Sequence, residues 1–495
     1  MNRTFRMTRL RFLAISILLA GLAVTNLHAY QAEIQNRYQL SEDGHHVVAP
    51  NGETLYWIGD TAWAMFQRLT REEIDAYLDD RKQKGFTVIQ SVIYWYPHGP
   101  FEPIGPSNEK NAYGHRPFGI TDGKTDTSRP FLTEGGSVDA PNDYWDHVDY
   151  VMNATRERGF TFVVLPCWGN AYINNRMDRS EIEFDEPKAR EYGRFLGTRY
   201  ASQSHVIWCM GGDVDPVNFA DKDQRAVYRA MAEGIGQGVS RNRGLRWNVE
   251  HPDWNKSFMT FHAVRTPKQS GSEGGSSSTW FHEDAWLDFN MMETFRWTHQ
   301  IHPLVSEDYR LKPTKPTLLG EGAYELGKYG NECGYISALK VRRQGYHAFF
   351  AGSAGYTYGC WAIWAFRGEY CETTWQQALN LPGATQVGQV MREFVEQQEV
   401  FSYEPAQQLI LSENPGGELL QCVAIKKDRS SLMVYLPDRR SVRVNTRKLD
   451  SARRLTVEWF DPRDGTRKGG SVSSKGVYKP PKNWEDAILI IAPTE

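Results

Sequence analysis

Two acidic residues follow short apolar segments at positions where their side chains could act on one bond together. Asp213 comes after the segment 206–210 and two glycines, and Glu321 comes directly after the segment 317–320. As the fourth and seventh strands of a parallel barrel, these segments would bring both carboxyl groups to facing positions at its mouth. One such acid can protonate a leaving oxygen while the other attacks or activates water, which is the chemistry of glycosidic bond cleavage.

Polar and aromatic residues follow the other predicted strands and would surround the two acids. The faces of tryptophan and tyrosine suit the apolar faces of sugar rings, and their polar edges suit hydroxyl groups. The sugar contacts that we predict are Asp60, Gln90, Trp168, His262, Tyr324, Tyr356 and Trp361. Trp63, Glu293 and Trp364 also follow predicted strands.

Each of these residues also has a structural interpretation that the sequence leaves open. Asp213 can cap a helix or a turn, Glu321 can belong to an ion pair, and Asp60 can hydrogen-bond the first loop. The tryptophans can belong to the hydrophobic core.

The sequence contains no motif for a metal or a cofactor. His251 and His262 lack the spacing of metal ligands, and no HExxH segment occurs. There is no GxGxxG after the first predicted strand, no GxxxxGK[ST] and no GxSxG, which argues against nucleotide binding and serine esterase chemistry. We therefore predict a site without metal or cofactor.

Composition narrows the class of partner. The chain of 495 residues has 57 Lys+Arg and 60 Asp+Glu, so its formal net charge is −3. Nucleic-acid binders usually carry a clustered basic excess, which this balance does not suggest. With 40% hydrophobic and 24% charged residues, the chain is typical of a globular protein. The expected partner is an oligo- or polysaccharide, and the oligomeric state stays open.

The first 29 residues are predicted to be a signal peptide. Four arginines precede the apolar stretch 12–27, and Ala29 offers a small residue at the cleavage point. We expect export to the periplasm or the extracellular space, with no stable membrane insertion after cleavage. A single membrane anchor is the alternative.

The six cysteines follow no zinc or CxxC spacing, and we predict no disulfide framework. One bridge remains open, from Cys333 to either Cys360 or Cys371, in an oxidising compartment.

The elements that must position these residues alternate between apolar segments and helical patterns. The predicted strands are 55–59, 87–94, 160–166, 206–210, 258–261, 287–291, 317–320 and 354–359. Eight strand–helix units favour a (β/α)₈ TIM barrel, placed at residues 30–402, and an open doubly wound sheet is the alternative. The long polar insertion 97–141 is typical of a functional loop.

The pattern changes after the predicted helix 386–398. Short apolar runs are separated by turn clusters such as 414–417 and 461–465. This pattern predicts a small antiparallel β-sandwich over residues 403–495.

Several motifs together resemble one known family over nearly the whole mature chain. They are WIGDTAW (57–63), KGFTVIQ (84–90), NAYG (111–114), IWCMGGD (207–213), GSSSTWFH (275–282), WLDFNM (286–291), GE (320–321), GYTYG (355–359) and ENPGG (413–417). The chain resembles the apiosidase-like glycoside hydrolases (glycoside hydrolase family 140), in which a barrel precedes a sandwich of the collagen-binding-domain type. The resemblance implies a retaining mechanism that releases apiose from rhamnogalacturonan II, with Asp213 as acid/base and Glu321 as nucleophile.

Three segments depart from the family's pattern, at 243–256, 262–265 and 292–297. Such loops shape the pocket of a barrel enzyme. A barrel glycosidase for a different plant or algal glycan is therefore one alternative function. A non-catalytic glycan- or matrix-binding protein is another, although a pure binder has no need of two facing acids.

Overall fold

The computed structural model describes residues 36–95, 109–174, 184–217, 222–264, 275–328, 332–366, 368–449 and 454–494. The predicted signal peptide lies outside the described residues. No helix within these ranges combines the length and the apolar character needed to cross a membrane.

Eight parallel strands form the sheet of the first domain. They are β1 (Trp57–Thr61), β2 (Val88–Tyr94), β3 (Thr161–Cys167), β4 (Val206–Val214), β5 (Met259–Ala263), β6 (Asn290–Glu293), β7 (Thr317–Glu321) and β8 (Gly355–Tyr358). Their order is β6-β7-β8-β1-β2-β3-β4-β5, so β8 pairs in parallel with β1. An open doubly wound sheet would not make this pairing, and the barrel prediction is confirmed.

The barrel has one seam, between β5 and β6, where these two described strands lack ladder pairing. The Thr260 hydroxyl donates across the seam to the backbone oxygen of Phe289 at 2.8 Å. All eight strands are almost wholly buried, because a barrel strand faces side chains of the interior on one side and helices on the other.

Helices surround the barrel. The longer ones are α1 (Arg71–Gln83), α2 (Tyr144–Glu157), α3 (Glu186–Arg199), α4 (Arg225–Ser240), α5 (Ile301–Asp308), α6 (Ala338–Phe350) and α7 (Arg392–Gln397). Shorter helical segments are Met65–Arg68, Gly169–Tyr172, Pro252–Lys256, Ser278–Phe281, Thr298–Gln300, Trp375–Ala378, Pro382–Thr385, Gln386–Met391, Val400–Ser402, Gln407–Leu409 and Gly417–Leu419.

The start of α1 shows how local sequence sets these boundaries. The Glu73 backbone N–H donates to the Thr70 hydroxyl at 3.3 Å, and the Thr70 N–H donates to the Glu73 carboxylate at 2.9 Å. This reciprocal pair is a capping box, in which a threonine and a glutamate three residues later satisfy the first free backbone N–H groups of the helix.

Within the polar insertion, residues 96–108 lie outside the described ranges. The part that follows forms a hairpin of Phe118–Thr121 and Lys124–Pro130. Phe118 packs against Tyr94 at the end of β2 and against Trp145 on α2, so the hairpin is anchored to the barrel.

The second domain contains β9 (Tyr403–Pro405), β10 (Cys422–Lys426), β11 (Leu432–Leu436), β12 (Val442–Arg443), β13 (Leu455–Phe460), β14 (Arg467–Gly470), β15 (Val477–Tyr478) and β16 (Ala487–Pro493). Six of them form an antiparallel sheet in the order β9-β10-β11-β16-β13-β14, and β12 pairs with β15 in a second sheet. This arrangement confirms the predicted β-sandwich.

Alternation along β11 shows how the sandwich is attached to the barrel. Leu432 and Val434 pack in the sandwich's own core, whereas Met433 and Tyr435 pack in the core shared with the barrel. Successive side chains of a strand point to opposite faces, so β11 is buried on both sides.

The structure contains a disulfide between Cys333 and Cys371, which follow β7 and β8 respectively. This is one of the two pairings that the sequence left open, with Cys371 rather than Cys360 as the partner of Cys333. Cys167, Cys209, Cys360 and Cys422 are buried and take no part in this disulfide.

Candidate active site

The end of β4 is bent so that Asp213 projects at the mouth of the barrel. Gly211, Gly212 and Asp213 all have positive φ, at 91°, 111° and 45°, and the register with β5 shifts there. A Cβ atom on Gly211 would lie 2.5 Å from the His262 carbonyl oxygen, and one on Gly212 would lie 2.9 Å from the Trp168 ring. Only glycines fit both positions, and the positive φ of Asp213 is strain of the kind retained at functional sites.

Asp213 and Glu321 meet at this end of the barrel with His262 beside them. One side-chain ligand atom from each of the three residues lies within 4.8 Å of the other two. His262 Nε2 is 3.0 Å from Glu321 Oε2. Asp213 Oδ1 is buried and has no hydrogen-bond partner among the described residues. An acid with an unused buried oxygen is ready to interact with a ligand.

The backbone fixes the tautomer of His262. The Asp213 N–H donates to His262 Nδ1 at 3.3 Å, so Nδ1 is the acceptor of the neutral ring. The ring proton of neutral His262 therefore resides on Nε2 and points toward the Glu321 carboxylate. The bend of β4 thus orients both acids, Asp213 directly and Glu321 through the imidazole.

A second donor reaches Glu321 from the other side. The Tyr324 hydroxyl hydrogen-bonds the Glu321 carboxylate and accepts the indole N–H of Trp63 at 2.6 Å. Because the indole N–H can only donate, the Tyr324 proton remains available to Glu321.

Burial and these partners set the proton affinities. Burial raises the pKa of Glu321 and the nearby Asp213 raises it further, against the lowering effect of the His262 and Tyr324 hydrogen bonds. Burial alone would lower the pKa of His262, but the hydrogen bond and charge of Glu321, together with Asp213, outweigh it and raise that pKa. The protonation of Glu321 therefore depends on that of His262, and the reverse also holds.

A cavity of about 420 Å³ opens onto the two acids. This volume is in the range of small-ligand sites. Its lining residues are Trp63, Trp95, Trp168, Asp213, Val264, Glu293, Phe295, Arg296, Trp297, Glu321, Tyr324, Trp361 and Trp364. Trp95 stacks on Trp168 at a centroid distance of 4.7 Å and on Trp364 at 5.7 Å. An aromatic wall next to two carboxyl groups suits a sugar ring held at a reactive bond.

The structure brings together most of the predicted site residues. Asp213, Glu321, Trp168, Tyr324 and Trp361 line the cavity. His262, which is fully buried, lies between the two acids and contacts both of them.

Three predicted sugar contacts lie elsewhere in the barrel domain. Asp60 is fully buried and its carboxylate receives Arg81 Nε at 2.6 Å and the Tyr77 hydroxyl at 2.8 Å, both from the outer helix α1. Tyr356 is fully buried beside Gly345 of the outer helix α6. Gln90 donates to the Gly320 carbonyl oxygen of β7 at 2.9 Å, across the barrel. Successive side chains of a strand point to opposite faces, so Asp60 and Tyr356 face the surrounding helices and Gln90 fills the barrel interior.

Several lining residues were absent from the predicted contacts. Their position at strand ends could have identified four of them. These are Trp63, Glu293 and Trp364, together with Trp95, which comes directly after β2. Phe295, Arg296 and Trp297 lie in an irregular loop after β6, within the segment 292–297 that departs from the family's pattern, but no periodicity or motif identified them individually as contacts.

Asp213, His262 and Glu321 are also the group of described residues whose ligand atoms are close enough to hold a metal ion. Both nitrogens of His262 are already directed to protein groups, Nδ1 to the Asp213 N–H and Nε2 to Glu321. This pairing accounts for the cluster without a metal. The metal-free site stays a prediction.

Comparison with known proteins identifies the two domains. Residues 41–402 match the family model "Apiosidase-like, catalytic domain", and residues 405–492 match that of the "Putative collagen-binding domain of a collagenase". No curated protein matches the chain.

Solved structures show the same architecture over nearly the whole chain. One is a glycoside hydrolase family 5 protein from Bacteroides vulgatus ATCC 8482, with 25% identity and a TM-score of 0.74 over 93% of this chain and 94% of that one. Another, described as a glycoside hydrolase, has 26% identity and a TM-score of 0.75 over 93% of this chain and 97% of that one. With its catalytic-domain match, its relatives and its paired acids, the chain belongs to the apiosidase-like family and is a glycosidase.

Proposed function

We propose that this glycosidase retains anomeric configuration and releases apiose from side chains of rhamnogalacturonan II. The observation that carries the mechanism is the separation of the acids, since oxygens of Asp213 and Glu321 lie within 4.8 Å. Retaining glycosidases hold their carboxyl groups about 5–5.5 Å apart, whereas inverting ones leave about 6.5–9.5 Å for a water. The apiose assignment is supported by the apiosidase-like family.

In the first step Glu321 attacks the anomeric carbon and Asp213 protonates the departing glycosidic oxygen. The hydrogen bonds from His262 and Tyr324 favour the ionised form of Glu321 that attacks.

In the second step a water cleaves the glycosyl–Glu321 ester. Asp213 gave its proton to the leaving group in the first step, so it enters the second step as a carboxylate. The ionised Asp213 then accepts a proton from the attacking water. The buried, otherwise unpartnered Asp213 Oδ1 suits an atom that bonds successively to the leaving oxygen and the water.

Export is part of the proposal. It is supported by the leader-like first 29 residues and by the Cys333–Cys371 disulfide, because disulfides persist in oxidising compartments. N-terminal sequencing of protein recovered from the periplasm and the medium would test it. A mature chain that begins near residue 30 in either fraction is the expected result.

The test of the activity is sugar release from purified rhamnogalacturonan II by the wild type and by Glu321→Gln. We expect the wild type alone to release apiose. The anomer that NMR detects first should have the same anomeric configuration as apiose in the substrate. Release of a different sugar would support glycosidase activity but refute apiose as the released sugar. A folded wild type that releases nothing from a panel of plant and algal glycans would favour the non-catalytic binder.

A further inference from the structure

The loop after β6 gives three successive side chains to one cavity. Phe295, Arg296 and Trp297 all line it, although neighbouring residues of an extended chain point to opposite sides. The loop achieves this because Phe295 has a φ of 41°, in the left-handed region that non-glycine residues seldom adopt. Strain of this kind is retained where a side chain must be presented in one direction.

Arg296 is the cation that this loop presents. Its guanidinium carbon lies 5.4 Å from the centre of the Trp297 ring, and the side chain is exposed. Among the hydrogen bonds and salt bridges found within the described ranges, none involves its side chain. A guanidinium offers a planar set of N–H donors that matches a carboxylate, and Trp297 orients that plane.

The remaining charged residues that line the cavity are acids. These acids are Asp213, Glu293 and Glu321, and an ionised carboxylate among them repels an anionic ligand. Arg296 is the basic residue among the described lining residues. A cation held at the mouth, outside any internal ion pair, offsets this repulsion for a ligand that carries its own carboxylate.

The second domain holds the loop in place. The Thr298 hydroxyl donates to the Glu418 carboxylate at 2.6 Å, and Glu418 belongs to the segment Gly417–Leu419 of the sandwich. Arg296 lies two residues before this anchor. Its position is therefore fixed by both domains.

We propose that Arg296 determines specificity for an acidic glycan, by binding the carboxylate of a uronic acid unit next to the scissile bond. This inference rests on the proposed glycosidase function and names the substrate's charge. Arg296 binds the part of the glycan that the reaction leaves behind, and Asp213 and Glu321 act on the sugar that is released.

The test compares one glycan with and without its carboxylates. Rhamnogalacturonan II and its carboxyl-reduced form, in which uronic acids become neutral sugars, are given to the wild type, Arg296→Gln, Arg296→Lys and Arg447→Gln. Arg447 is an exposed arginine of the second domain, so it controls for the loss of one positive charge.

The measured quantity is the ratio of kcat/KM for the native glycan to kcat/KM for the reduced one. We expect Arg296→Gln to lower this ratio about ten- to hundred-fold, as loss of a charge-assisted hydrogen bond does. Arg296→Lys should give an intermediate ratio, because it keeps the charge and loses the planar pair of donors. Arg447→Gln should keep the wild-type ratio. An unchanged ratio in Arg296→Gln would overturn the inference.

Binding separates this inference from the proposed function. Calorimetry with Glu321→Gln and with Glu321→Gln/Arg296→Gln measures affinity for both glycans without turnover. If the wild type releases no sugar, the proposed activity fails. A preference of Glu321→Gln for the carboxylated glycan that is lost in the double variant would still support the role of Arg296. Equal binding of both glycans by Glu321→Gln would refute it.

Discussion

Asp60 and Glu321 are two buried acids on strands of the same barrel, and their surroundings differ. Asp60 receives a charged donor, Arg81, together with Tyr77 and the backbone N–H of its neighbour Thr61. Its side chain is wholly enclosed. Glu321 receives a titratable imidazole and a phenol, keeps a small exposed fraction of 6%, and faces a second acid.

A raised pKa does not distinguish the two acids. Burial raises the pKa of Asp60 against the charge of Arg81, and burial likewise raises the pKa of Glu321. The distinction lies in the partners. Asp60 stays ionised because a permanent cation and other donors already bind its carboxylate oxygens. Glu321 has a titratable imidazole and a phenol as donors and faces an open cavity, so its charge can change during a reaction.

The largest expected effect is the loss of turnover when Glu321 is made neutral. Glu321→Gln should lower kcat on the natural glycan by at least about 10⁴-fold, because an amide cannot form the glycosyl ester. The thermal midpoint should stay close to that of the wild type. Sugar release and a melting curve on the same preparation measure both quantities.

Azide provides the control for this loss. Glu321→Ala leaves a space beside the anomeric carbon that a small anion can enter, so azide should restore turnover and give a glycosyl azide of inverted configuration. An azide product of retained configuration would assign Glu321 the acid/base role instead of the nucleophile's.

Replacing Asp60 should have the converse effect, on stability rather than on chemistry. Asp60→Asn removes the fully buried counter-charge of Arg81 and leaves it only the partly exposed Asp80, and breaking a buried pair costs about 3–5 kcal/mol of unfolding free energy. Denaturant titration measures this loss. Turnover per folded molecule should equal that of the wild type. A larger loss of turnover than of folded protein would restore Asp60 as a substrate contact.

Sequence reasoning predicted the fold and the proximity of Asp213 and Glu321 because both follow strand periodicity. Each predicted barrel strand is present, and Asp213 and Glu321 lie at strand ends where loops build a site. Periodicity gives strand positions only to within a few residues, and one residue reverses the direction of a side chain. Asp60, Gln90 and Tyr356 were therefore assigned to the pocket, although Asp60 and Tyr356 face the surrounding helices and Gln90 points into the barrel.

The remaining site residues depend on geometry that the sequence does not encode locally. Arg296 reaches the cavity through the positive φ of Phe295 and the anchor at Thr298, and both are tertiary features. Cys333 and Cys371 are 38 residues apart, and only the folded loops decide which cysteine is near.

An intermediate effect is expected for the acid that lacks a fixed partner. Asp213→Asn should lower the rate on the natural glycan about 10²–10⁴-fold, because its poor leaving group needs a proton. The loss should shrink on aryl glycosides as the acidity of the leaving phenol increases. A plot of log(kcat/KM) against phenol pKa measures this trend, and equal losses on all substrates would assign Asp213 a positioning role.

The smallest effect is expected for the titratable partner that distinguishes Glu321 from Asp60. Glu321 must be ionised to attack, so activity is lost as the pH falls through its pKa. The His262 hydrogen bond lowers that pKa by favouring the carboxylate. His262→Asn should therefore move the acidic limb of kcat/KM to higher pH, with about a tenfold loss at the optimum. Tyr324→Phe, which removes the other donor, should move the limb in the same direction. A shift to lower pH in either variant would mean that the limb reports a group other than Glu321.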